Sequence, residues 1–177
     1  MVEQIEDVVQ AQKWQALMRG QVMSATVNKF VTILRLLDQK AQVMIFLNSL
    51  LVPVCINAIE HGTFKYAAMI SVLSSILSIL AAIVCIYPKR RYRKSGDREL
   101  NLLHFNDIGH LEKQVFLDKI LPVFNCPEKL AETVVHDLYD TSRYSILPKF
   151  MWIKISYAVF AFGNIAAIIV ALIEMDF

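Results

Sequence analysis

Glycine and proline are scarce in this chain, five of each in 177 residues, and that scarcity excludes several functions at once. The chain has no glycine-rich phosphate loop, no Gly-x-Ser-x-Gly elbow, no His-Glu-x-x-His pair and no Asp-rich metal motif. Nucleotide cradling by a P-loop, acyl transfer and zinc hydrolysis therefore all lack their residues. Three cysteines, Cys55, Cys85 and Cys126, stand at unpaired spacing without a Cys-x-x-Cys. They give neither a disulfide framework nor a zinc site, and two of them sit in apolar blocks, where cysteine behaves as a small hydrophobe. His104, His110 and His136, with Asp107 and Asp137, fall between the last two apolar blocks. His104 and His110 lie six apart, on different faces of a helix, rather than at the four-residue spacing of a metal pair. These residues predict no enzyme, no metal site and no cofactor.

Charge is also missing from long stretches. Residues 41–59 and 67–87 carry none, and residues 152–173 carry only Lys154, near their start. Apolar residues make up 56% of the chain, above the 45–50% usual for a soluble domain, and the excess lies in these three blocks. At about 1.5 Å per helical residue, each block spans or nearly spans a hydrocarbon core of about 30 Å. Pro53 is tolerable inside the first, because neighbouring helices reabsorb the freed backbone groups. Lys154 can snorkel to the interface. The amino terminus opens on Glu3, Glu6 and Asp7 with no short apolar core before a cleavage site, so no cleaved signal is expected and the helices themselves insert.

The basic flanks orient the three spans. Lys89, Arg90, Arg91, Arg93 and Lys94 follow the second block, Arg35 and Lys40 precede the first, and Lys149 and Lys154 flank the start of the third. The opposite side has Lys65 in a short connector and an acidic tail with Glu174 and Asp176. Positive flanks stay inside, which predicts a cytoplasmic amino terminus and an external carboxyl terminus.

The predicted architecture is an all-α integral membrane protein with four parts. Residues 1–40 form an amphipathic cytosolic helix, with Met23, Val27, Phe30, Val31, Leu34 and Leu37 at helical spacing and a bend expected at Gly20. Residues 41–87 form a transmembrane hairpin (41–59 and 67–87). Residues 88–149 form a small helical cytosolic insert, and residues 150–177 hold the third span and a short external tail. Within the insert, His104, Ile108, Leu111 and Val115 share one helical face. Asn125 and Glu128 bracket a capping box with Pro127 in the first turn. The helix through Leu130, Val134 and Leu138 should end or kink near Pro148. An insert this small cannot build a large core alone, so it is expected to pack on the amino-terminal helix and on other subunits.

Polar residues inside the spans carry two readings. Ser71, Ser74, Ser75 and Ser78 repeat at three-and-four spacing on one face of the second span. Small residues there permit close helix packing, or they provide a wettable lining for a pore. Asn48, near the middle of the first span, is too costly to leave unpaired in lipid and should face protein or water. Asn57 and Asn164 add further polar points. No acidic or basic residue lies deep in a span, which disfavours a proton relay or a charged-substrate transporter. The basic run and nearby Arg98 are open to three readings: a positive-inside anchor, a contact for anionic lipid, or a grip on ligand phosphates by Lys89, Arg90, Arg91, Arg93, Lys94 and Arg98, with Tyr92 stacking on a base.

Short motifs resemble a known family. Asp38-Gln39-Lys40-Ala41, entering the first span, resembles the Asp-x-Lys-Ala signature of the transmembrane effectors of Pycsar antiphage systems. The segment from Asn101 through Leu102, Leu103, His104, Phe105, Asn106 and Asp107 to Ile108 is similar to their Asn-Leu-Leu-Phe-Phe-Gly-Asp-Ile segment, departing from it at His104 and Asn106. Tyr139, Ser142 and Lys149 match in layout, and the resemblance covers roughly residues 35–173. It implies a bacterial immunity effector that breaches the inner membrane when a nucleotide signal changes. Many such effectors carry a separate cyclic-nucleotide-binding domain, which these residues do not include. In size and layout the chain also resembles the membrane effectors of Hailong defence, oligomeric channels held shut by a short single-stranded DNA from a partner nucleotidyltransferase.

These readings converge on one expectation, an ion-conducting homo-oligomer (taken as a tetramer) gated by a nucleotide or short oligonucleotide. A cyclase or nucleotidyltransferase would supply the ligand, and Asn48, Ser71, Ser74, Ser75 and Ser78 would line the pore. The alternative, from another class, is a non-conducting membrane scaffold or lipid-associated protein.

Overall fold

A computed structural model describes residues 2–62, 64–87 and 100–175. The described residues form six α-helices and one π-helical turn, with no strand among them. Helix α1 spans Val2–Glu60 and α2 spans Lys65–Ile86. A short α3 (Phe105–Ile108) precedes α4 (Lys113–Phe124) and α5 (Pro127–Thr141). The π turn Ser142–Ile146 then leads into α6, Leu147–Met175. Three helical runs are long and apolar enough to cross a membrane, one in each expected place. This is an all-α membrane protein.

The expected amphipathic helix and the first span are one unbroken helix rather than two elements. Residues 38–42 read Asp-Gln-Lys-Ala-Gln, without the proline or glycine that would stop a helix. Gly20 does not break it either. A single mid-helix glycine costs only about 1 kcal/mol relative to alanine, less than neighbouring turns recover.

Three details of the insert differ from expectation. His104, Ile108, Leu111 and Val115 do not share a helix face, because the chain turns at Gly109 between α3 and α4. Asn125 ends α4 instead of capping α5; the cap of α5 is Cys126, with no side-chain hydrogen bond, although Pro127 does take the first helical position. Pro148 neither ends nor breaks the last helix, since α5, the π turn and α6 run on from Pro127 to Met175. In the π turn the Leu147 N–H donates to the Ser142 carbonyl, five residues back. That wider turn gives the ring of Pro148 room where an α-helical carbonyl would clash.

Helix α2 lies between α1 and α6, which pack chiefly on it. Its buried side chains are all small, including Ala67, Ser71, Ser74, Ser78, Ala81 and Cys85. Lipid gives no hydrophobic drive for helix association, so close backbone approach through small residues supplies the packing. At Gly163 of α6 the approach is so close that an added Cβ would overlap the side chain of Ser74. Leu37, Ala41, Met44, Cys85 and Ile153 close the core at one end of the bundle. At the other end Gly62 takes a φ of 75° in the turn into α2, a conformation that costs glycine nothing. There Glu174 of α6 accepts a hydrogen bond from the Tyr66 N–H at 2.8 Å, placing a carboxylate at the positive end of the α2 dipole.

Candidate functional site

The buried polar residues of the spans meet in one seam. The Asn48 Nδ2 donates to the Met44 carbonyl at 2.7 Å and to Ser78 Oγ at 3.2 Å. Ser78 Oγ lies 2.9 Å from Ser156 Oγ, and Ser156 Oγ donates to the Ser78 carbonyl at 2.9 Å. One turn towards the hairpin, Ser74 Oγ donates to the Ser71 carbonyl at 3.0 Å, and Ser71 Oγ donates to Asn164 Oδ1 at 3.1 Å. Asn48, Ser75, Ser78 and Ser156 are wholly buried. Two atoms of the seam, Asn48 Oδ1 and Ser75 Oγ, lie buried without a hydrogen-bond partner among the described residues. Each such group costs about 1–3 kcal/mol.

Asn48 thus faces protein, as its cost in lipid requires. Ser71, Ser74, Ser75 and Ser78 face the inside of a single protomer, where all four pack between helices and Ser71 and Ser78 hydrogen-bond across to α6. Ser156 and Gly163 complete the seam and were not singled out by sequence. Their signal was the seven-residue interval along α6 that matches the serine spacing of α2.

Where the bundle meets the insert, Lys149 Nζ pairs with Asp38 Oδ1, tying α6 to α1. Next to it Cys85 Sγ donates to the Lys149 carbonyl at 3.3 Å, and Ala41, three residues past Asp38, is fully buried. The first motif therefore has a structural role, its acid closing the α1–α6 contact and its alanine seating α1 on the bundle.

The second motif knots the insert. Asn101 is almost fully buried. Its Oδ1 accepts from the Leu103 N–H at 3.0 Å, and its Nδ2 donates to Asp137 Oδ1 at 2.8 Å. Its own N–H donates to Asp107 Oδ2 at 3.3 Å. One side chain thus ties the segment ahead of α3 to itself and to α5. Beside Asn101 opens a cleft of about 840 Å³ lined by Leu100, Val123, Lys129, Glu132, Val135, His136 and Tyr139, among others. Its mixed charge does not favour phosphate. The predicted phosphate contacts Lys89, Arg90, Arg91, Arg93, Lys94 and Arg98, with Tyr92, lie outside the described residues.

A family model described as the Pycsar effector protein domain matches residues 22–174. No curated protein and no solved structure matches the chain.

Proposed function

The chain belongs to the Pycsar effector protein domain family, transmembrane effectors of antiphage defence, and from that premise we propose that it assembles into a gated ion-conducting pore. The observation that carries the proposal is the polar seam buried in the spans, with Asn48 Oδ1 and Ser75 Oγ unpartnered. Such groups burden the closed arrangement and gain partners once water reaches them. Three spans enclose no lumen, so several copies are required. In the open state α2 parts from its neighbours, and Asn48, Ser71, Ser74, Ser75 and Ser78 line an uncharged, wettable path for small ions.

The gate lies on the insert side, in the bacterial cytoplasm under the positive-inside rule, with the carboxyl terminus outside the inner membrane. A nucleotide or short oligonucleotide from a partner nucleotidyltransferase or cyclase binds the basic run Lys89–Arg98 of several copies around the axis. There symmetry multiplies a modest patch into a strong anion site. Ligand then favours whichever state it binds better. Expression without the partner is expected to depolarise the inner membrane and arrest growth; normal growth with an intact potential would contradict the proposal.

The competing reading is a non-conducting scaffold. The overlap that any Cβ at Gly163 would meet favours it, since so close an approach is what permanent helix packing requires. Loss of potential separates the two.

A further inference from the structure

Helix α1 continues far beyond the bundle. From Asp38, level with Lys149, its remaining residues to Val2 extend about 54 Å at about 1.5 Å per residue. This extension displays Met18, Val22 and Ala25, with Lys29, at four-three-four spacing on one exposed face, and Val22 is 64% exposed. Residues 8–37 carry Lys13, Arg19, Lys29 and Arg35 and no acidic residue.

Helix α5 presents the opposite sign. It carries Glu128, Glu132, Asp137 and Asp140 against Lys129. The helix packs on α1 and α4 with Leu130, Val134 and Leu138 half-buried, while Glu128, Glu132, Val135 and Tyr139 form an exposed row. That row borders the cleft beside Asn101, and Val135 and Tyr139 are each 57% exposed. Two exposed faces of complementary charge thus stand on one chain.

We propose that the α1 extension of one copy docks parallel on the outer face of α5 in the next copy, both helices running towards the membrane. The inference rests on the reading that the chain oligomerises. Every copy crosses the bilayer in the same direction at the same depth, so the membrane fixes the axial register, and heights can be counted from the Asp38–Lys149 level. At about 1.5 Å per residue, Arg19 stands about 28 Å above that level and Glu132 about 26 Å. Ala25 and Val135 stand at about 20 and about 21 Å, and Lys29 and Tyr139 at about 14 and about 15 Å. The pairs are an ion pair from Arg19, which flanks the face about 100° round the helix from Met18, an apolar contact and a cation over a ring. A lipid surface cannot take this face, because Met18 stands about 30 Å from Asp38 along a helix continuous with the span. Rod on one side and receiving face on the other make a head-to-tail contact, the kind that closes into a ring.

The test uses the full chain in membranes. Arg19→Glu and Glu132→Arg should each convert the detergent-extracted oligomer to a smaller species, and the double variant R19E/E132R should restore it. Independently, Ala25→Cys with Val135→Cys, in a Cys126→Ser background, should form a ladder of inter-chain disulfides on mild oxidation, and either cysteine alone should not. Unchanged size in the single charge variants, or a cross-link only within one chain, would overturn the interface while a surviving oligomer leaves the pore reading intact. A wild-type chain counted as single copies in the bilayer would overturn both.

Discussion

Gly163 of α6 lies so close to Ser74 of α2 that a Cβ on the glycine would overlap the serine's own Cβ and Oγ. Neither backbone can yield without moving a helix. Gly163→Ala should therefore destabilise the bundle by about 1–3 kcal/mol, the usual cost of overpacking a tight contact. Ser74→Gly, which removes both overlapped atoms, should restore most of that loss in the double variant. Unfolding in detergent micelles with increasing denaturing detergent measures both effects.

Asp38 and Lys149 form a partly exposed pair, with side chains 36% and 18% accessible, so screening limits its worth to about 1 kcal/mol. Asp38→Asn and Lys149→Met should each lower stability slightly, and a double-mutant cycle should give a coupling of roughly 0.5–1 kcal/mol that shrinks at high salt. The same unfolding assay at two ionic strengths checks it. Additive effects would show that the pair does not tie α1 to α6.

Asn101→Ala removes the acceptor for the Leu103 N–H and the donor to Asp137. A part-buried backbone donor and a part-buried carboxylate lose a partner together, which costs about 1–3 kcal/mol. Hydrogen exchange over residues 101–108 should rise sharply while the spans stay protected. The readout separates local loosening of the insert from loss of the membrane bundle.

Much of this architecture was legible in the sequence because the bilayer simplifies the chemistry. Three long apolar runs, two of them without charge, had to be spans, and Asn48 and the serines had to meet protein or water. Short-range punctuation was less legible. Pro148 reads as a helix stop or kink, and it does not stop the helix because the π turn before it supplies space; Asn125 reads as a cap although Cys126 takes that place. The contact of Gly163 with Ser74 depends on how two helices cross, and local spacing does not encode that. Asn101 was visible only as part of a motif, since its partner Asp137 lies 36 residues away.

Asn48→Leu separates conduction from folding. It removes a buried oxygen that has no partner together with the bond to Ser78, which still retains Ser156. Stability should hold or rise by up to about 2 kcal/mol, because relief of the unpartnered oxygen, about 1–3 kcal/mol, offsets the loss of an interhelical hydrogen bond of about 0.6 kcal/mol. Depolarisation in cells should fall, because an apolar ring at that depth dewets the path. Unchanged depolarisation would remove the seam from the conducting route.

The most direct measurement is ionic current from the purified chain in planar bilayers, recorded with and without short oligonucleotides and cyclic nucleotides. The account predicts discrete current steps that one of these ligands switches on or off, and that Asn48→Leu reduces. Folded, oligomeric protein that passes no current under any of these conditions would contradict it and establish the scaffold reading.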